Sequence, residues 1–369
     1  MANYFKTAKA FSEQSKDLAE GIKAFAKDAI LERKGDIRAF SAHSREEQNK
    51  LINKEFMAEV AKRSGYSLAE GASNTEAMRY ASNPMVKYFA NQIKTEMIDM
   101  ILPEVLMNGA LRYIAEFKYA DLGDTISFNV ENNTLFTVSK AGYRKRNTNI
   151  QKSFKATVTM SGENHMITVG DDLYNIVTGF ANIADDVMRA TLSMETCMLF
   201  EAYSNFTNAM NNLTGNLKVV NYSEKGLIKL CETVTAYNQG RKAVILGTAT
   251  ALKAVLPSNA NYRYLLDSEY VKLGHLQTFN GYDVVPLEQV ADPFNNVDYS
   301  LKLDDTKIYV VSPASDKIVK IGVFGGTFSR STKAEDSANL LETDTLAKGW
   351  EVATITNSVA GEVANLETH

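Results

Sequence analysis

The residue types that most often carry enzymatic or metal chemistry are sparse in this chain. The two cysteines, Cys197 and Cys231, fall inside apolar helical patterns, which favours reduced core residues over a disulfide or a zinc site. No HExxH, GxSxG or Walker pattern occurs, and the GVFGGT at residues 322–327 lacks the GxGxxG spacing and predicts a turn. The histidines are His43, His165, His275 and His369. Their wide separation predicts no metal cluster, so the sequence offers no catalytic, cofactor-binding or metal-binding residue.

Paired carboxylates can act as a general acid and a general base. The chain contains three such pairs: Asp171 with Asp172, Asp185 with Asp186, and Asp304 with Asp305. No partner motif accompanies any of them. The first pair is better explained as a helix start, where the helix dipole favours negative charge, the second as a solvated helix face, and the third as a loop.

A cationic segment is the most distinctive chemical feature of the chain. Residues 132–162 contain no acidic residue, and their basic residues are Lys140, Arg144, Lys145, Arg146, Lys152 and Lys155. Such a cluster could bind nucleic acid phosphates, but only Tyr143 supplies an aromatic ring beside it for base stacking. The pattern therefore favours a contact between subunits.

Strand-like alternation flanks this segment on both sides, in DTISFNV at residues 124–130 and in SFKATVTM at residues 153–160. The pattern predicts a long hairpin whose arms of about 15 residues could reach about 50 Å at 3.3 Å per residue. A two-stranded ribbon alone in water is marginally stable, so it should rest on another surface. A neighbouring subunit is the economical support.

Helical patterns dominate the N-terminal part. An apolar stripe predicts a helix over residues 5–32, and a capping box of Ser44 and Glu47 predicts a second helix that stops at Gly65. We interpret residues 1–82 as a helical N-terminal arm. The pattern leaves two arrangements equally open: two helices packed on the main body, or an arm that reaches a neighbouring subunit. A further helix begins at Asn83 and Pro84, and Pro103 bends or ends it.

The strongest helical signal runs over nearly 40 residues from Asp171 to Met210, interrupted only by Gly179. Its length, about 60 Å at 1.5 Å per residue, suits the spine of an elongated subunit. A coiled-coil rod is the alternative, but the repeat lacks sustained charged flanks.

Helix and strand then alternate over residues 222–326, as in a compact α/β unit. Residues 349–356 predict a terminal strand in which Trp350 is a packing anchor. The fold class is therefore α+β.

Composition and charge exclude several classes of protein. The 369 residues are 45% hydrophobic, which is enough for a sizeable core. The 40 Lys and Arg against 44 Asp and Glu give a net charge of −4, too balanced for a dedicated nucleic-acid binder. The charged N-terminus lacks the apolar core of a signal peptide, and the most apolar stretch falls short of the roughly 20 residues of a membrane span.

The order of elements, with three local segments, resembles the major capsid proteins of tailed double-stranded-DNA phages, whose Hong Kong phage-type fold is shared with encapsulins. The segments are LPEVLMNGALRYIAEFKYADLGDTISFNV at residues 102–130, residues 151–190 from QKSFKATVTM into ITVGDDLYNIVTGFANIADDVMRA, and GWEVATITNSVAGEV near the C-terminus. The resemblance covers residues 83–369 and leaves residues 1–82 unmatched.

The resemblance implies a phage major-capsid fold. Residues 83–221 would form the peripheral domain, with an extended loop at 112–170 that lies over an adjacent subunit and a spine helix at 171–214. Residues 222–326 would form the axial domain, and residues 327–369 would return to the peripheral domain. Some relatives join a loop lysine to an asparagine of a neighbour, and many lose their first segment to a protease. Here such a cross-link would use one of four lysines and one of two asparagines: Lys140, Lys145, Lys152 or Lys155, and Asn357 or Asn365.

The implied function is structural and not enzymatic, without a cofactor. The partners would be many copies of the chain as hexamers and pentamers, together with portal, scaffolding and decoration proteins. Packaged double-stranded DNA would be contacted without sequence specificity. The protein would belong to the virion capsid and assemble in the cytoplasm of the host bacterium.

The sequence leaves three alternatives open. An encapsulin-like compartment would enclose cargo enzyme, and a tail or sheath protein would form tubes. An enzyme would place its site in the α/β unit at 223–325, for example among Asp267, Glu269 and His275. It would form a small soluble oligomer.

The cationic segment generates the first testable prediction. Reversal of Arg144, Lys145 and Arg146 to Glu should leave the subunit folded but block or distort assembly, because it places like charge against an acidic neighbour surface. Circular dichroism of the subunit and electron microscopy of its assemblies measure the two effects. Particles of normal shape would refute the assignment.

Overall fold

The computed structural model describes residues 16–69, 71–107, 110–130, 138, 156–170, 173–256, 270, 272–294, 300–313, 316–332, 343–356 and 358–366. Its α-helices are α1 (Lys16–Arg33), α2 (Arg45–Ser64), α3 (Asn74–Ala81), α4 (Pro84–Met107), α5 (Leu173–Val177), α6 (Ile183–Asn211), α7 (Glu224–Tyr237) and α8 (Ala249–Leu252). Short 3₁₀ turns lie at Ala110–Tyr113 and Gly215–Leu217.

The strands of the described part are β1 (Ala115–Ala120), β2 (Ile126–Val130), β3 (Ala156–Met160), β4 (Glu163–Gly170), β5 (Lys218–Val219), β6 (Val244–Gly247), β7 (Thr278–Phe279), β8 (Tyr282–Pro286), β9 (Ile308–Val311), β10 (Val319–Thr332), β11 (Thr343–Thr354) and β12 (Gly361–Val363). They form a four-stranded sheet, a six-stranded sheet and a two-stranded ribbon. The predicted α+β class is confirmed.

α2 begins and ends where the sequence predicts. The Ser44 hydroxyl accepts a hydrogen bond from the Glu47 backbone N–H, and the Glu47 carboxylate accepts one from the Ser44 backbone N–H. Gly65 closes the helix at φ +75°, a left-handed conformation that glycine adopts without strain. The prediction misses α3, although the same kind of capping box, Ser73 with Glu76, begins it.

α1 and α2 pack on the main body. Ile22, Phe25, Phe56 and Val60 are fully buried in one hydrophobic core that also contains residues of α4 and α6. Of the two arrangements that the sequence left open, packing on the main body is confirmed for residues 16–64. Of the two outcomes predicted at Pro103, a bend or an end, the helix does not end there: α4 continues through Pro103 to Met107.

The prediction of one helix over residues 171–214 is wrong. α5 ends at Val177, and Gly179 follows at φ +80°, in the left-handed region that other residues avoid. The spine of the subunit is therefore α6 alone. Its 29 residues correspond to about 43 Å at 1.5 Å per residue.

The start of α6 corrects one further prediction, that for the second acidic pair. Asp185 and Asp186 lie in its first turn, so this acidic pair marks a helix start and not a solvated face. The pair predicted to start a helix, Asp171 with Asp172, lies outside the described residues. The Asp304 carboxylate accepts a hydrogen bond from the Thr306 backbone N–H in a loop, as predicted for that pair.

Side chains of α2 hold the N-terminus of α6. Asn182 occupies the N-cap position, but its side chain makes no capping hydrogen bond. Instead, Asn53 Oδ1 accepts a hydrogen bond from the backbone N–H of Ile183 at 3.0 Å, while Asn53 Nδ2 donates to Asn182 Oδ1 at 3.1 Å. The guanidinium of Arg45 binds the Asp185 carboxylate at 2.7 Å. The cap of the spine helix is thus supplied by another helix.

The four-stranded sheet has the order β1-β10-β11-β4, with β1 parallel to β10 and the other pairs antiparallel. Its inner face packs against α4 and α6 and carries the buried side chains of Leu346 and Trp350. We call the opposite face of this sheet the outer face. Residues 322–327 are not the predicted turn: they lie inside β10, where the register with β11 shifts between Phe324 and Phe328.

The six-stranded sheet has the order β5-β12-β9-β6-β8-β7 and builds the α/β unit, with α7 packed on it over Leu230 and Val234. Two strands pair outside the chain segments predicted for them. β10, which begins inside residues 222–326, belongs to the other sheet, and β12, from the C-terminal segment predicted to return to the peripheral domain, joins this one. Both pairings join residues far apart in sequence, which a local pattern does not reveal.

Because Asn53 of α2 caps the N-terminus of α6, its loss should lower the stability of the subunit. Asn53→Ala should lower the free energy of unfolding by about 0.5–2 kcal/mol, because the Ile183 N–H loses its acceptor. Urea denaturation of the soluble subunit measures the change. The control is Lys54→Ala on the exposed side of the same helix, and an equal effect of both substitutions would contradict the capping role.

Candidate assembly interface

The structure describes the base of the predicted hairpin. β2 and β3 pair antiparallel, with Ile126 opposite Met160 and Val130 opposite Ala156. The predicted strands are therefore confirmed at this end. The six basic residues predicted to contact a neighbouring subunit all lie outside the described residues: Lys140, Arg144, Lys145, Arg146, Lys152 and Lys155.

The ribbon of β2 and β3 packs on the outer face of the four-stranded sheet. Phe128 is 0% exposed and forms a small core with Ile126, Met160 and Phe324 of β10. The Glu351 carboxylate of β11 accepts hydrogen bonds from the backbone N–H groups of the turn that leads out of β3, at 2.9 and 3.0 Å. A ribbon that is marginally stable alone is thereby fixed to one half of the sheet.

Cations from the sheet fix the orientation of this ribbon. The Lys118 ammonium lies 4.6 Å from the ring centroid of Phe128 and donates a hydrogen bond to the Ser127 carbonyl at 2.8 Å. The Lys320 ammonium, fully buried, lies 5.8 Å from the same centroid and binds Glu116 at 2.6 Å. Cation–π contacts of this kind strengthen when water is excluded.

The charged cluster around Lys320 contains a second carboxylate, Asp316, and a second lysine, Lys317. Asp316 also binds the Lys320 ammonium, so the buried cation is compensated twice. Burial lowers the pKa of the neighbouring Lys317, against the opposing effect of Glu116. Because an unpaired buried charge is costly, this arrangement specifies one position for the ribbon over the sheet.

The ribbon points away from half of the outer face. Ile126 lies over Gly322, since a Cβ added at Gly322 would stand 3.1 Å from Ile126 Cδ1. Phe128 lies over Lys320, which is nearer the start of β10. Successive residues of β2 therefore run towards the beginning of β10. The chain leaves the ribbon at Val130 and re-enters it at Ala156, at the end remote from Phe328.

Within the described part of the chain, the ribbon leaves half of the outer face uncovered, and this half carries an apolar row. Phe328 of β10 lies opposite Ala347 of β11, which lies opposite Met166 of β4. Phe328 is 47% exposed and Met166 is 69% exposed. We call Phe328, Ala347 and Met166 the open row. Phe324 and Phe328 share the outer face, but only Phe324 is covered by the ribbon.

A carboxylate on α4 sets the register shift that separates these two phenylalanines. Asp99 accepts hydrogen bonds from the Thr327 backbone N–H at 2.8 Å, the Thr327 hydroxyl at 2.6 Å and the Lys348 ammonium at 2.8 Å. Lys348 also donates to the Gly325 carbonyl. The extra residues of the bulge return Phe328 to the outer face. Sequence reasoning misses this residue because Asp99 and Thr327 are 228 positions apart.

A second polar cluster joins α6 to the inner face. The Glu201 carboxylate accepts a hydrogen bond from Trp350 Nε1 at 2.9 Å and contacts His165 Nε2 at 2.9 Å. The His165 ring stacks on Trp350 with centroids 3.7 Å apart. Trp350 is therefore a packing anchor, as predicted. Burial, reinforced by Glu201, raises the pKa of Cys197 to about 11, which keeps this thiol protonated and a poor nucleophile.

The residues proposed for an enzyme do not assemble into a described site. Asp267 and Glu269 lie outside the described residues, and His275 Nδ1 contacts the Leu273 carbonyl two residues away. In the part of the chain that the structure describes, no three His, Cys, Asp or Glu side chains approach closely enough to hold a metal ion. Among the described helices, none combines the length and the hydropathy that a membrane crossing requires.

The chain was compared with protein families, curated proteins and solved structures. No protein-family model and no curated protein matches the chain. Solved structures do match. The mature capsid of bacteriophage PhiM1 has a TM-score of 0.41 at 10% identity, covering 71% of this chain and 88% of that chain. The capsid of a native GTA particle has a TM-score of 0.46 at 11% identity, covering 70% and 96%.

An encapsulin matches as well. The holo-SrpI encapsulin complex from Synechococcus elongatus has a TM-score of 0.39 at 12% identity, covering 70% of this chain and 87% of that chain. The chain is thus similar to the two kinds of protein that its sequence resembles. At these identities and TM-scores, a function does not follow from the likeness alone.

The two halves of the outer face predict opposite effects for one substitution. Phe128→Ala should destabilise the subunit by about 3–5 kcal/mol, because it empties a closed core. Phe328→Ala should change the stability of the unassembled subunit by less than about 0.5 kcal/mol, because this ring is half-exposed, yet it should reduce assembly. Urea denaturation and particle yield measure the two effects. Unchanged particle yield from Phe328→Ala would exclude the open row from the interface.

Proposed function

We propose that this chain is a structural major capsid protein, which assembles into the closed shell around the double-stranded DNA of a tailed phage. The observation that carries the proposal is the half-covered outer face. A ribbon rests on one half, its far end points away from the other half, and the open row there exposes two large apolar side chains. A contiguous exposed apolar surface of this kind is typical of an interaction site.

A second copy of the chain completes this surface. The described ribbon of one subunit ends, at Val130 and Ala156, remote from its own open row, so we propose that the segment between these two residues reaches a neighbour. Covering the neighbour's open row in this way is a head-to-tail contact, because the two surfaces in contact are different. Head-to-tail contacts close into rings when the rotation between copies permits it, and we propose that these rings are the hexamers and pentamers of a shell.

The cationic segment supplies a second component of the contact. Its six basic residues without an acid would pair with an acidic surface of the neighbour, which orients the encounter and depends on salt. Each contact is weak, but a closed shell repeats it many times. The role is non-enzymatic. Virion location, assembly in the host cytoplasm, and portal, scaffolding and decoration partners belong to the same proposal.

Electron microscopy and size-exclusion chromatography of the purified protein, at low and at moderate salt, test the function. Sixty copies of 40.8 kDa weigh about 2.4 MDa, far above an ordinary oligomer. We expect closed particles, and fewer of them from Phe328→Ala than from the parent chain.

The contents of the particles decide between the two kinds of shell. Nuclease-protected double-stranded DNA in particles from infected or expressing cells supports the capsid, whereas a co-purified enzyme would support an encapsulin-like compartment and overturn the capsid. Monomers or small oligomers at every salt concentration, together with an unaltered state in Phe328→Ala, would contradict any shell.

A further inference from the structure

The N-terminal helices share the hydrophobic core of the body. Ile22 and Phe25 of α1 and Phe56 and Val60 of α2 are each 0% exposed, within the same core as residues of α4 and α6. No separate core exists for α1 and α2 in the described part of the chain. Their removal would therefore expose apolar side chains of the remaining helices.

Ion pairs attach the two helices to the body at three separated points. Arg33 at the end of α1 binds Glu195, a buried residue in the middle of α6, at 3.0 Å. Arg63 at the end of α2 binds Glu96 of α4 at 3.1 Å. Arg45 at the start of α2 binds Asp185 in the first turn of α6 at 2.7 Å.

The pairing of Glu195 is the most consequential of the three. Burial raises the pKa of Glu195, and Arg33 opposes that effect. Without the N-terminal helices this carboxylate would lose its cation. With α1 in place Glu195 is buried, and loss of the partner of a buried carboxylate is strongly destabilising, so Arg33 ties the end of α1 to the spine helix.

The cap of α6 is the third line of evidence. Asn53 of α2 accepts the hydrogen bond of the Ile183 N–H, and Asn49 of the same helix donates to Asp185 Oδ2 at 2.8 Å. The side chain of the N-cap residue Asn182 does not perform this role. The position at which the spine helix begins is therefore set by α2.

From these contacts we infer that residues 16–64 are a permanent clamp on the spine helix, retained in the assembled protein and not shed as a scaffolding segment. The clamp closes the core, compensates Glu195 and starts α6. This inference goes beyond the proposed function, since it concerns the folded subunit whether or not that subunit builds a shell.

The link between α2 and α3 offers a direct test. Residues 65–67 are exposed, and Tyr66 is half-exposed, so a recognition sequence for a specific protease can be inserted after Tyr66 in the full chain. After complete cleavage, the two fragments should elute together in size-exclusion chromatography without denaturant. A denaturing gel confirms that the chain has been cut, and the uncut insertion variant is the control.

Separation of the N-terminal fragment, with the remainder still monodisperse and its melting temperature within about 2 °C of the uncut control, would overturn the inference. Separation that leaves an aggregated or unfolded remainder would support it, because it shows that the body depends on the clamp.

Variants with weakened contacts between the clamp and the spine helix provide a second readout. Arg33→Ala and Asn53→Ala should each accelerate release of the cut fragment at least several-fold relative to Lys54→Ala, whereas identical rates for all three variants would contradict these anchoring contacts.

Particles, where they form, give an independent measurement. Intact mass spectrometry of subunits from purified particles should find residues 16–64 still attached. Subunits that begin after residue 64 in otherwise normal particles would refute retention. Because the cleavage experiment uses soluble protein, a failure to form particles would contradict the proposed function and leave the clamp to be decided by co-elution.

Discussion

A two-stranded ribbon in water must bury one of its faces, and in this protein that requirement is met by half of a sheet. Phe128 closes a small core with Phe324 on the outer face. Phe328 lies further along the same face, and the ribbon of its own subunit does not cover it. The sheet is thus longer than the ribbon that rests on it, and the remaining length is the surface that a second copy can use. The proposed head-to-tail contact depends on this difference in length.

Buried charges keep the two halves distinct. Lys320, compensated by Glu116 and Asp316, lies beneath the ribbon, while Asp99 holds the bulge beyond it. A one-residue slip of β10 would move each side chain to the other face and leave these charges unpaired. The polar contacts therefore specify the register, and the apolar contacts supply most of the favourable free energy.

The features that the sequence predicts well are local. The capping box at Ser44, the left-handed Gly65, the alternation that makes β2 and β3, and the strand around Trp350 each depend on residues a few positions apart. The break between α5 and α6 is a local feature that the periodicity concealed, because apolar spacing continues across Gly179 while the backbone does not. A glycine inside a long helical pattern carries that signal.

The proposed interface is only partly predictable from the sequence. Its cationic residues are evident from composition, but their positions lie outside the described residues. The open row was not predicted, because Phe328, Ala347 and Met166 come from three strands that pair across long stretches of chain. The parallel pairing of β1 with β10 and the contact of Asp99 with the bulge are likewise non-local. No periodicity within one segment encodes such partners, since they depend on the topology of the sheet.

Photo-crosslinking from the open row tests the central claim most directly. The variant Phe328→p-benzoylphenylalanine, assembled from a mixture of isotopically light and heavy subunits, is irradiated and analysed by mass spectrometry. The account predicts crosslinks that join position 328 of one copy to residues 131–155 of another, visible as mixed light–heavy peptides. Crosslinks to residues 131–155 within the same copy, or none to that segment in assembled particles, would contradict it.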